Sequence, residues 1–356
     1  MAFDFKYMPT FRSRQQELLV IRSFGFENRM FPLLEIIKEK DRVNNNRPVA
    51  DIWSEYLMGA NFQRILVDLP TYIRDTPSMQ DEVLAFNRTT LSNLQRRIDF
   101  FTMLQPAAAK VIPVVSSLLY KTGEANSITN QIVAIRQIFP VIAVRTFTST
   151  FDTDFEEIRA NLTAEDILIY DLDTAQPLNP LVKKQMKSLE SIVGPYKVAL
   201  RSAINAEIQN IKLDHGGVVA DADNSLLDLF QSILKMDGFG DYAGVKKDDL
   251  NSGGTISPGF IFYDPIDNLY YGYKGEVKNL AEFEDTIVPA VLNSEVVVIL
   301  REQYPQFVSA ENTGYQMLLS IQAGIDSGKS QAKFKRISMD HYLHCIREKI
   351  RANDFG

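Results

Sequence analysis

The sequence predicts an α/β fold of the (β/α)8, TIM-barrel-like class, spanning residues 1–356 as a single domain. Short apolar, β-branched runs recur along the chain, and each leads through polar turn residues into a segment with helical spacing. The runs also lack in-out alternation, as suits strands buried on both faces of a parallel sheet.

Seven such runs precede residue 225: 31–37 (FPLLEII), 64–69 (RILVDL), 111–116 (VIPVVS), 140–146 (PVIAVRT), 166–171 (DILIYD), 197–201 (KVALR) and 217–221 (GVVAD). Their starts lie roughly 20 to 45 residues apart, the length of a strand, a helix and their loops. Between them, 80–104 places Val83, Leu84, Phe86, Leu91, Leu94, Ile98 and Phe101 near a 3.6-residue period. The segments 127–139 and 178–193 show similar stripes, and Asn224 is placed to cap a helix over 226–234. The eighth barrel strand is assigned to 238–245 (GFGDYAGV). Phe260 to Tyr263 pairs with Leu269 to Tyr273 across DPIDN as a β-hairpin inserted over about 258–274. The barrel core thus covers about 1–245, and a helical part covers about 280–356, ending in a helix at 337–351. Asn44 to Pro48 reads as a polar loop, and Gly253, Gly254 and Pro258 mark another. An open doubly wound sheet is the competing fold, but the first run leads into KEKDR and not a glycine-rich turn.

The chain is 45 % hydrophobic and 23 % charged, with 45 acidic against 38 basic residues and a net charge of −7. That balance argues against a general nucleic-acid coat or membrane-surface binder, which need an excess of Lys and Arg. Cys345 is the one cysteine, so no internal disulfide and no multi-cysteine zinc site is expected. With no signal-like start and no long apolar run, a cytoplasmic protein that does not span a membrane is expected.

Polar residues gather at the carboxyl ends of the proposed strands: Glu35, Asp68, Ser116, Arg145, Asp171 with Asp173, Arg201, Asp221 and Asp241. In a barrel these ends share one face, where such enzymes place their sites. Glu35, Asp68, Asp171 and Asp241 are the candidate catalytic residues, as general bases or Mg2+ ligands. Arg145 and Arg201 are the candidate ligand-binding residues, suited to a phosphate or carboxylate. The alternative reading is a structural ion network at the rim, since a carboxylate within an apolar strand needs a partner.

Three further features have bland counterparts. His341, His344 and Cys345 lie on one late helix, where packing or capping competes with a metal site. AGIDSGKS at 323–330 satisfies a relaxed phosphate-loop pattern, yet the residues before it read as helix. Lys329, Lys333, Lys335 and Arg336 form a small basic stretch, the one place a nucleic acid is expected to touch.

The segments YMPTFRSRQQELLVIRSF and FPLLEII, GFGDY at 238–242, and KFKRISMDHYLH at 333–344 resemble the beta-protein family of phages and bacterial mobile elements. The first two match its Tyr-x-Pro start, Glu-bearing helix and Pro-Leu-x-Glu strand; the third matches its Gly-Asp-Tyr element; the last matches its late helix with a histidine pair. The histidines here stand three positions apart, where relatives often have them adjacent. The resemblance implies Glu35, Asp241 and His341 as matched positions and a role in conflict between phages and hosts, and it brings no established activity.

The leading expectation is a barrel whose rim binds a small anionic or nucleotide-like ligand, with hydrolysis as a further option. The alternative is a non-catalytic scaffold in a phage–host conflict complex, capturing a protein through exposed aromatics of the 258–274 hairpin: Phe260, Phe262, Tyr263, Tyr270, Tyr271 and Tyr273.

Overall fold

The computed structural model describes residues 3–39, 49–247, 250 and 256–355. The expected loops at 44–48 and 253–254 lie outside these residues. Eleven strands occur among the described residues: β1 (Tyr7–Arg12), β2 (Leu33–Glu35), β3 (Ile65–Asp68), β4 (Val111–Val115), β5 (Ala143–Phe147), β6 (Ile167–Asp171), β7 (Tyr196–Leu200), β8 (Gly217–Asp223), β9 (Gly238–Asp241), β10 (Gly259–Asp264) and β11 (Leu269–Lys274). Eight of them close a barrel in the order β1-β2-β3-β4-β5-β6-β7-β9, with helices interleaved along the chain. The pairs from β1 to β7, and β7 with β9, are parallel. This is the (β/α)8 TIM-barrel-like fold.

The barrel's membership differs from the sequence expectation. The first strand is Tyr7–Arg12, whose six residues are all buried. Pro9, Thr10 and Arg12 interrupt its apolar residues, which hides it from a search for apolar runs. Conversely, GVVAD is no barrel strand: β8 joins an antiparallel sheet of order β10-β11-β8. There Val219 and Ala222 are buried while Val218 is 48 % exposed, the burial of a strand with one wet face.

The expected helix over 80–104 is interrupted. It runs as Asp81–Phe86, a π-helical turn at Asn87–Leu91, and a new helix Leu94–Met103 whose N-cap Asn93 accepts from Arg96 N at 3.0 Å. Asn224 is not a side-chain cap; Asp223 Oδ1 accepts from Ser225 N instead, ahead of the short helix Ser225–Leu229. The last helix starts six residues earlier than expected, at Gln331–Ala352, because Ser330 Oγ caps Lys333 N.

The chain divides into two compact units. The first holds Met1–Arg201, Leu229–Gly240 and Leu250–Ser252. Its barrel interior is packed by Met8, Leu33, Leu66, Ile112, Val114, Ala143, Ile167, Ile169, Val198 and Leu200. Gly240 is required by close approach, since a Cβ there meets Met8 O at 2.6 Å. The second unit holds Ser202–Asp228, Asp241–Asp249 and Gly253–Gly356, with the antiparallel sheet and the C-terminal helices. No described helix is long and apolar enough to cross a membrane.

Candidate functional site

Side chains alternate across a strand, so the inward face that carries Leu33, Leu66, Ala143 and Ile169 carries Glu35, Asp68, Arg145 and Asp171 two residues later. Parallel register sets Glu35 opposite Asp68 and Arg12 opposite Glu35. The carboxyl-terminal layer of the barrel is therefore ionic, directly beyond apolar layers.

Arg145 is its centre. Nη1 donates to Glu35 Oε1 at 2.7 Å and to Asp68 Oδ2 at 2.6 Å; Nε and Nη2 donate to Asp171 Oδ2 at 3.0 and 2.5 Å. Arg12 Nε donates to Glu35 Oε2 at 3.2 Å, an oxygen that also accepts from Tyr72 Oη at 2.6 Å. The Tyr72 and Phe147 rings lie 5.3 and 5.1 Å from the Arg145 guanidinium. Glu35, Asp68 and Arg145 are fully buried, and Arg12 and Asp171 nearly so. Three carboxylates thus face two guanidiniums in a closed cluster.

Burial pushes the Asp68 carboxyl up to about 6, against the pull of Arg145. Among the described residues, one oxygen of Asp68, Oδ1, has no hydrogen-bond partner, and neither do Arg97 Nη2 and Ser116 Oγ. Arg97 is fully buried, its pKa lowered to about 10 by desolvation, and its Nε donates to Gln131, which in turn donates to Ser116 O. Among the described residues no group of three or more Asp, Glu, His or Cys is arranged to hold a metal ion.

The other sequence-chosen positions go elsewhere. Asp171 ends its strand, and its Oδ1 accepts from Asp173 N at 2.7 Å, so Asp173 begins a turn with φ 53°. Arg201 follows β7 and is nearly buried, with Nε on Ala175 O at 3.1 Å. Asp241 belongs to the second unit, where Oδ2 accepts the Tyr342 hydroxyl and Oδ1 accepts Ala243 N at 2.9 Å. Tyr342 Oη also accepts from Asn224 Nδ2 at 2.6 Å. The Gly-Asp-Tyr element ends in consecutive left-handed residues, Ala243 and Gly244; a Cβ on Gly244 lies 2.5 Å from the Tyr342 ring.

The late histidines are packing residues. His341 lies between Asn312 Nδ2 on Nδ1 (2.8 Å) and Tyr263 O on Nε2 (2.9 Å), and stacks on Phe262 at 4.2 Å. Burial lowers its pKa to about 4, so the ring is neutral. His344 meets Gln306 O through Nε2 and Arg347 through Nδ1. The phosphate-loop match follows a helix, Thr313–Gln322, and Gly328 N already donates to Glu284 Oε1 at 2.7 Å. In the basic stretch, Lys333 pairs with Asp326 at 2.8 Å, Lys329 with Glu284 at 3.6 Å and Arg336 with Asp340 at 3.3 Å.

The hairpin aromatics are not an exposed surface, which corrects the expectation that they present one to a partner. Phe260, Phe262, Tyr263, Tyr270 and Tyr273 are buried, and only Tyr271 is half-buried. Hairpin and last helix pack together, with Phe260 against Phe334 at 5.3 Å and Tyr263 against Tyr342 at 4.6 Å.

The rim carries a cavity that sequence reasoning missed. It measures about 530 Å³ and is lined by Ser13 and Arg14, just past β1, by Ile37 and Lys38, just past β2, and by Gln15, Leu18, Leu19, Arg22, Tyr56 and Gln80. Three cations and no carboxylate stand among these lining residues. Arg14 also precedes the first turn of the helix Gln15–Ser23, which has no side-chain cap. Its signal was the arginine spacing in FRSRQQELLVIRS, legible only once Tyr7–Arg12 is known to be a strand.

The family model described as Beta protein matches residues 7–347. No curated protein matches the chain.

Proposed function

The chain belongs to the Beta protein family, and on that footing we propose that its barrel rim binds a small anionic, nucleotide-like ligand in the cavity beyond β1 and β2. One observation supports this reading: a 530 Å³ cavity at the carboxyl ends of two strands whose described lining includes Arg14, Arg22 and Lys38, the last paired with Glu82 at 2.7 Å, and no carboxylate among the described lining residues. That volume suits a small ligand, and guanidiniums suit phosphate oxygens. The phage and mobile-element setting implied by the resemblance makes nucleotides the first class to try.

Binding rather than turnover is proposed. Glu35, Asp68 and Asp171 are engaged by Arg145, so in this reading they hold the floor of the rim and do not act as bases on the ligand. Calorimetric titration of the whole chain with ADP and with pyrophosphate is the test. Saturable, salt-sensitive binding is expected, weakened roughly 10- to 100-fold by Arg14→Ala or Arg22→Ala, since a charged hydrogen bond contributes about 1.5–3 kcal/mol. Absence of saturable binding, or indifference to both substitutions, overturns the proposal.

A further inference from the structure

Three buried polar atoms at the carboxyl ends of β3 and β4 have no hydrogen-bond partner among the described residues: Asp68 Oδ1, Arg97 Nη2 and Ser116 Oγ. Their residues are 0, 0 and 1 % exposed, so bulk solvent does not reach them. Folded chains rarely leave even one such group unpaired, because it gives up its hydration on burial and receives nothing in return.

Named contacts bring the three together. Asp68 pairs in register with Val114, which packs inside the barrel, and Ser116 stands two residues further along the same face. Arg97 reaches this point from the helix Leu94–Met103. Its Nη1 donates at 2.6 Å to Leu69 O, one residue past Asp68; its Nε donates at 3.1 Å to Gln131 Oε1, and Gln131 Nε2 donates at 3.0 Å to Ser116 O. The guanidinium is thus tethered beside both strand ends, where it and Asp68 each feel the other's charge. Its hydrogen bonds among the described residues all go to uncharged oxygens.

The chemistry of this set selects its ligand. Arg97 Nη2 only donates, Asp68 Oδ1 at neutral pH only accepts, and the Ser116 hydroxyl does either. A metal ion is repelled by the guanidinium and an anion by the carboxylate. Water, which donates and accepts, satisfies all three.

We infer that one ordered water molecule binds between Asp68, Arg97 and Ser116. It accepts from Arg97 Nη2, donates to Asp68 Oδ1 and meets Ser116 Oγ with its remaining hydrogen or lone pair. Through it Arg97 joins the ionic layer, so that Glu35, Asp68 and Asp171 share a third guanidinium beside Arg12 and Arg145. The site has no residue in common with the rim cavity and does not depend on a ligand there.

A crystal structure of the whole chain, at a resolution that shows ordered solvent, is expected to hold one water about 2.6–3.2 Å from each of the three atoms. Arg97 Nη2 bonded directly to Asp68 Oδ1, or an ion at that point, overturns the inference. In solution, 13C NMR follows the carboxyl groups of Asp68 and Asp171 through a pH titration of the wild type and of Ser116→Ala, with Trp53 fluorescence checking that the variant folds. Removing the hydroxyl loosens the water that donates to Asp68, so Asp68 should bind its proton roughly threefold more tightly or better, while Asp171 keeps its wild-type titration. An unchanged Asp68 overturns the inference. A shift of equal size at Asp171 also overturns it, since that is a general loosening of the layer and not the loss of one shared water.

Discussion

Around Arg145 the first unit buries charge and meets it with charge; around Tyr342 and His341 the second unit buries polar groups that are mostly neutral and meets them with hydrogen bonds. Both clusters are nearly inaccessible to water. In the barrel layer the guanidinium of Arg145 contacts three carboxylates, and even so one oxygen of Asp68 lacks a partner among the described residues. In the second unit His341 is neutral with both ring nitrogens engaged, and Tyr263 Oη donates to Asn268 at 2.7 Å. The difference teaches that a strand-end acid and a helix histidine, equally suggestive in a sequence, reach burial by different chemistry. Ion clusters fail badly when one member is lost, whereas neutral networks lose one bond at a time.

The largest effect should come from removing the centre of the ionic cluster. Arg145→Met leaves Glu35, Asp68 and Asp171 together without their shared cation, and the first unit should lose more than about 3–5 kcal/mol. Urea unfolding followed by fluorescence of Trp53, the single tryptophan, which is buried in the first unit, reads that loss. Adding Glu35→Gln, Asp68→Asn and Asp171→Asn to Arg145→Met should recover much of it. A midpoint unchanged by Arg145→Met would show that the cluster is not what holds the rim.

Titration should separate the two regions by sign. Asp68 is raised to about 6 from an unfolded value of about 3.9, so between those values the folded state binds more protons. Its contribution to stability falls as pH rises from about 4 to about 6, by roughly 3 kcal/mol. His341 is lowered to about 4 from about 6.5, so there the unfolded state binds more protons. Its contribution rises over about pH 4 to 6.5, by a similar amount. Asp340, pushed up to about 6 by burial, adds a falling contribution to the second unit. Asp68→Asn should flatten the falling leg seen by Trp53, and His341→Gln the rising leg seen by proton exchange in the second unit. Slopes unchanged by both substitutions would refute these assignments.

A smaller effect is expected from Tyr342→Phe, which deprives Asp241 and Asn224 of one partner each. About 1–3 kcal/mol should be lost from the second unit, measured as a lower midpoint for protection of the last helix from amide exchange. A loss as large as that of Arg145→Met would erase the contrast between the clusters.

The barrel class was legible because burial on both faces writes itself into continuous apolar runs, as in RILVDL and DILIYD. Glu35, Asp68, Arg145 and Asp171 were legible as a group because each stands two residues beyond an inward-facing apolar position. The strand at Tyr7–Arg12 was not, since Pro9, Thr10 and Arg12 break up the apolar run that Tyr7, Met8 and Phe11 would otherwise form. The rim cavity was missed with it, because Arg14 is a rim residue only if the preceding residues form a strand.

The sequence by itself determined the (β/α)8 class, the buried character of its parallel strands and the ionic residues at their carboxyl ends, because period and hydropathy are local properties. Tertiary structure alone decided which eight strands close the barrel, that Arg145 is the partner of three distant carboxylates, and that the hairpin aromatics face inward. Those outcomes depend on which surfaces meet, and a buried charge or ring is defined by a neighbour far away in the chain.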